Sequence, residues 1–234
     1  MIGVIGGNGV AATNILCKLI EEQRTSKGAY RDGHHPEMIV WQATQAPSRS
    51  MYLEGRGESF VDDYIRIGKH LKNCGCTQLC MCCNTAHFCI DELEEKIGLP
   101  FINIITETLC SIDPSHKRVG VICSDGAMKY DLYGEFARRA NKSSLEIVYP
   151  DSLFQDMVTR GICNSKNLIR NKEDDSEFPQ KLFTEVFHHL VDKGCTCIIL
   201  GCTDINAVFT PPNIDGIQCV DSLKILSNYI EVHY

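Results

Sequence analysis

The chain has 234 residues, 44% of them hydrophobic and 23% charged, and a formal net charge of −7 at pH 7. That is the composition of a globular protein with one large domain or two small ones. The acidic balance offers no basic stripe for nucleic acid, and no 18-residue apolar stretch is available to span a membrane. Met1 leads straight into a short apolar run at residues 2–5, so the reading expects no signal segment. Gly6-Gly7-Asn8-Gly9 follows, then a helix over 10–23 with Ala12, Ile15, Leu16, Leu19 and Ile20 at helical spacing. Residues 38–41 read as a second strand. Residues 44–56, polar and broken by Pro47, read as a loop. A helix over 59–72 puts Phe60, Tyr64, Ile67 and Leu71 on one face. Residues 77–82 form a strand without alternation, which suits burial on both faces of a parallel sheet. A turn at 83–87, a helix to about residue 97 and a strand at 101–105 complete the first half.

The second half restarts the pattern. Val119-Gly120-Val121-Ile122 copies Ile2-Gly3-Val4-Ile5 at an offset of 117 (119−2). Strands at 145–149, 195–200 and 218–221 alternate with helices at 153–162, 178–191 and 222–230, with a charged surface turn at 171–177. The strongest echo lies at two cysteines. His70-Leu71, Gly75-Cys76-Thr77 and Cys83 become His189-Leu190, Gly194-Cys195-Thr196 and Cys202, each 119 residues on (189−70, 202−83). Two copies of helix end, turn, buried strand and Cys-ended loop imply two related α/β halves. Each half places a thiol at a strand's C-terminal end, where open α/β sheets bind ligands.

Fourteen cysteines without a signal segment fit a reducing, cytoplasmic setting, in which most thiols are packing residues. The repeat singles out Cys83 and Cys202. Inverting a carbon stereocentre without a cofactor needs a base on one face and an acid on the other, and thiols can serve as either. Other patterns point elsewhere. Gly7-x-Gly9-x-x-Ala12 loosely matches a dinucleotide fingerprint, but Trp41-Gln42 lacks the acidic residue that motif wants. Cys80-x-x-Cys83 would be a redox pair, except that residues three apart in a strand point to opposite faces. His70, Cys74 and Cys76, or His34-His35, lack zinc spacing.

Cys83-Asn84-Thr85-Ala86-His87 and Gly201-Cys202-Thr203-Asp204 resemble the two signature motifs of the aspartate/glutamate racemase superfamily. The resemblance covers essentially the whole chain, including Gly6–Gly9 and Gln45-Ala46-Pro47-Ser48-Arg49. His87 and Asp204 look closer to the aspartate type. The resemblance implies an α/β fold of two similar domains, each a mostly parallel sheet flanked by helices. Pseudo-twofold symmetry would relate the domains and place the site in the cleft between them. The expected division is 1–108 with 211–234 and 109–210. It further implies a racemase without pyridoxal phosphate or other cofactor, acting on a small acidic amino acid and assembling as a homodimer. Cys83 and Cys202 would be the acid/base pair. Asn84, Thr85 and Thr203 would hold the α-carboxylate and amino group, and Arg49 a substrate carboxylate. Asn8, which stands where the family usually has Met, and Lys166, the nearest basic residue to one often found in the second domain, would also bind substrate. His87 and Asp204 would support the thiols, His87 alternatively bonding substrate. Aspartate is the leading substrate. Glutamate, a broader amino-acid range, a hydantoin, or silent binding of an acidic ligand remain alternatives, with a nicotinamide-dependent enzyme as a further class.

Overall fold

The computed structural model describes residues 1–170 and 177–234, with the backbone alone described at 167–170 and 177. The surface turn expected at 171–177 therefore lies, Glu177 apart, outside the described residues. The first half comprises β1 (Ile2–Gly6), α1 (Val10–Ser26), β2 (Met38–Gln42), α2 (Arg49–Leu53), α3 (Val61–Asn73), β3 (Gln78–Met81), α4 (Ile90–Ile97), β4 (Phe101–Ile102) and α5 (Ile104–Cys110). The second comprises β5 (Arg118–Ile122), α6 (Asp125–Lys129), α7 (Leu132–Arg139), β6 (Glu146–Val148), α8 (Ser152–Arg170), α9 (Glu177–Asp192), β7 (Cys197–Leu200), β8 (Gln218–Asp221) and α10 (Ser222–His233).

The strands form two four-stranded sheets, ordered β2-β1-β3-β4 and β6-β5-β7-β8, and every pairing is parallel. Replacing each strand of the first sheet by the strand four later gives the second, so the sequence echo is a structural one. The central strands carry continuous apolar runs because both faces are covered. β1 (IGVIG) and β7 (CIIL) are buried at every position. Among the described residues no helix is long and apolar enough to cross a membrane.

The chain's end is shared between the halves. β8 pairs with β7, Ile199 facing Val220, while α10 crosses back to pack against α1 and α5. Residues 211–234, expected with the first half, thus give their strand to the second sheet and their helix to the first.

Several elements differ from the sequence reading. Residues 44–56 contain α2. Pro47 lies outside this helix, and the Ser48 side chain accepts from the Met51 N–H as its cap, so the proline ends nothing. α8 runs on to Arg170, well past residue 162, and thereby carries Lys166 on a helix. The short α5, α6 and α7 span five to eight residues, too few for a helical period to stand out.

Candidate active site

In each sheet the chain winds one way from the first strand and the other way afterwards. The crevice at the carboxyl ends of β1 and β3, and likewise of β5 and β7, is the place where such sheets bind ligands. The loops after these strands carry Gly7–Gly9, Cys83–Thr85, Ser124 and Cys202–Asp204. The chain turns sharply out of β1 at Gly7 (φ +77°), where a Cβ would lie 2.6 Å from the Ala43 nitrogen, so only glycine fits.

These loops enclose one narrow cleft of about 40 Å³, which adjoins a wider space of about 300 Å³ sharing Asn8, Ser48, Arg49, Lys166 and Asp204. Of the ten residues singled out from the sequence, nine line the narrow cleft: Asn8, Arg49, Cys83, Asn84, Thr85, Lys166, Cys202, Thr203 and Asp204. His87 does not. It is fully buried beneath Cys83, with Nδ1 2.9 Å from the Cys83 carbonyl and Nε2 accepting from the Ile104 N–H at 3.3 Å. Both ring nitrogens serve backbone, which leaves none for a substrate. Burial pushes its pKa down to about 4, so the ring is neutral at pH 7.

The two thiols sit in unlike surroundings. Cys83 faces the guanidinium of Arg49, whose Nη1 also donates to the Pro47 carbonyl at 3.1 Å. Burial works against the Arg49 charge, but Cys83, Tyr64 and Asp204 together more than offset it, and its pKa is raised. Cys202 instead lies 4.0 Å from Oδ2 of Asp204, which pairs with Nζ of Lys166 at 3.2 Å. Burial, reinforced by the Asp204 charge and opposed by Lys166, pushes the Cys202 thiol up to about 12. Lys166 is raised as well: partial desolvation opposes its charge, and Asp204, Cys202 and Cys83 together outweigh it.

The polar residues beside the cysteines tie the halves together. Tyr133 donates to Asn84 Oδ1 at 3.0 Å, while Asn84 Nδ2 donates to Ser222 Oγ at 3.1 Å, and Ser222 donates to the Leu200 carbonyl. Thr85 and Ser124 share a hydroxyl bond of 2.8 Å, and Thr203 Oγ1 donates to the Cys82 carbonyl at 2.7 Å. Asn84, Thr85 and Thr203 therefore fix the width of the cleft; one N–H of the Asn84 amide is left for a ligand. Tyr64, Ser124, Tyr133 and Ser222 escaped the sequence reading. The repeat does hold a signal for Ser124, which is the counterpart of Gly7 (124−7 = 117). The tyrosines sit inside apolar helical stripes and carry none.

All fourteen cysteines are free, and Cys80 is wholly buried away from the partly exposed Cys83. Among the described residues no group of His, Cys, Asp and Glu is arranged to hold a metal ion.

Cys83 and Cys202 thus stand in mirrored loops of two like α/β halves and line one cleft. The family pattern of Asp/Glu/hydantoin racemases matches residues 2–230, and the chain belongs to that family, whose named members are racemases and hence isomerases. The broad specificity amino-acid racemase RacX of Bacillus subtilis (strain 168) is 23% identical over 238 residues, covering 98% of each chain. The aspartate racemase of Picrophilus torridus superposes with a TM-score of 0.76 at 24% identity, over 98% of this chain and 91% of that one. The glutamate racemase isoform RacE1 from Bacillus anthracis superposes with a TM-score of 0.67 at 15% identity, over 99% of this chain and 80% of that one.

Proposed function

We propose that the chain is a cofactor-independent aspartate racemase working by two-base proton transfer between Cys83 and Cys202. The observation that carries this reading is one cleft lined by a thiol from each half, with a part-buried guanidinium whose Nε has no hydrogen-bond partner. On this reading Arg49 receives a substrate carboxylate. In one direction the Cys83 thiolate, countered by Arg49, removes the α-proton from one face. The Cys202 thiol then delivers its proton to the other face. In the reverse direction Cys202 must first give up its proton, and Asp204 is the nearby acceptor, held by Lys166.

A second reading, a racemase of wider amino-acid range, is favoured by the end-to-end match to the Bacillus subtilis relative. The wider space beside the cleft also favours it, with room for a longer side chain.

Chiral chromatography after incubation with a panel of single enantiomers separates the readings. Aspartate turned over well ahead of glutamate and neutral amino acids supports the first; several turned over comparably supports the second. Cys83→Ser and Cys202→Ser each should lower aspartate racemisation by at least about 10³-fold. Wild-type rates in both variants would end the two-thiol reading. A protein stabilised by aspartate that turns over nothing would be a silent binder.

A further inference from the structure

We infer that Tyr64 is a positioning residue that fixes Asn8 as the acceptor for the substrate's α-ammonium group; this rests on reading the cleft as an amino-acid site. Of the described residues lining the cleft, Asn8 and Arg49 each hold a buried side-chain atom without a hydrogen-bond partner, Oδ1 and Nε. One is a neutral acceptor and the other a cationic donor. An amino-acid zwitterion is their complement, since its ammonium only donates and its carboxylates only accept.

The orientation of Asn8 follows from its neighbours. Asn8 is 4% exposed, and its Nδ2 donates to the Ile5 carbonyl at 3.2 Å and to the Tyr64 hydroxyl at 2.7 Å. A carbonyl cannot donate, so the nitrogen is fixed on that side and Oδ1 is the free end. Tyr64, fully buried on α3, also lies within electrostatic reach of the Arg49 guanidinium and Cys83. The unpartnered Asn8 Oδ1 and the Arg49 guanidinium thus lie near one tyrosine and one thiol. Among the other acceptors, Asn84 Oδ1 takes the Tyr133 hydroxyl, and Asp204 Oδ2 takes Lys166 and Cys202. An amide holds an ammonium without placing a negative charge next to a thiolate, which a carboxylate at the same position would do.

The test is calorimetric titration with aspartate and with succinate, which is aspartate without the amino group. Wild type should bind aspartate more tightly than succinate. Asn8→Ala, or the nearly isosteric Asn8→Leu, should weaken aspartate about 10-fold or more and leave succinate within about 2-fold. Tyr64→Phe should do the same in wild type and add nothing in the Asn8→Ala background. Equal weakening of both ligands, unchanged aspartate binding, additive effects, or a wild type without preference for aspartate (including one that binds neither ligand) would overturn the inference. A wild type that prefers aspartate but does not racemise it would overturn the proposed activity and leave this assignment standing.

Discussion

Asp204 and His87 show how single side chains tie the chemistry and the stability of the protein to pH. Asp204 adds to burial in holding the Cys202 proton, so Cys202 remains a thiol across the ordinary working range. With the donor intact, ionisation of Cys202 should bring no alkaline decline in kcat up to about pH 9. Asp204→Asn removes the charge that raises Cys202, while the opposing Lys166 charge stays, so the thiol's pKa falls. An alkaline decline should then enter that range, with kcat lowered about 10²-fold or more; a level profile in the variant would show that Asp204 does not govern Cys202. His87 acts on stability. Its folded pKa of about 4 lies below the ordinary 6.5, so the unfolded chain binds more protons between these values. Stability is therefore full above 6.5 and is lost as pH falls through the window, by about 3 kcal/mol in all. His87→Gln titrates nothing there. Urea midpoints at pH 7 and about pH 5 should show a larger acid loss in wild type than in the variant; equal losses would count against a buried neutral imidazole.

At the scale of elements, the loops after β1, β3, β5 and β7 are matched in place and unmatched in use. Asn8 and Asp125 are counterparts (125−8 = 117), yet Asp125 does not present a free atom to the cleft. Its carboxylate takes Thr159 and Gln155, both at 2.8 Å, and so anchors α8, the helix that brings Lys166 to Asp204. The β1 loop presses on the opposite side of the same carboxylate: a Cβ on Gly9 would lie 2.6 Å from Asp204 Oδ1. Gly9 has an extended backbone (φ −177°) that alanine also adopts. Gly9→Ala should therefore displace Asp204 and lower kcat about 10²-fold, while stability changes by about 1 kcal/mol or less. A thermal melt paired with turnover kinetics checks this, and an undisturbed rate would mean that Asp204 can shift freely.

Much of this arrangement was legible in the chain. Buried parallel strands, the repeat and the two cysteine loops were visible because each rests on a local period or a copied segment. The α2 helix, the reach of α8 and the crossing of α10 were not. They depend on a cap outside a proline and on packing between residues more than a hundred positions apart. The roles of Tyr64 and Tyr133 were hidden for a related reason: a hydroxyl at the tip of a buried ring reads as core until its distant partner is known.

For the whole molecule, two similar sheets with unlike cleft walls make a chemically lopsided site for a reaction whose two ends are mirror images. The enantiomers have equal free energy, so kcat/KM must be equal in both directions at every pH. The contrast between Arg49–Cys83 and Lys166–Asp204–Cys202 can appear only in kcat and KM taken separately. The central claim is that one thiol takes the α-proton and the other supplies a different one. Early-time turnover of L-aspartate in D₂O tests it most directly, with deuterium at Cα read in both enantiomers after chiral separation. The account predicts that the D-aspartate formed carries one deuterium while the remaining L-aspartate carries none. Deuterium entering the L-aspartate pool as fast as D-aspartate forms, or product keeping the original proton, would contradict it.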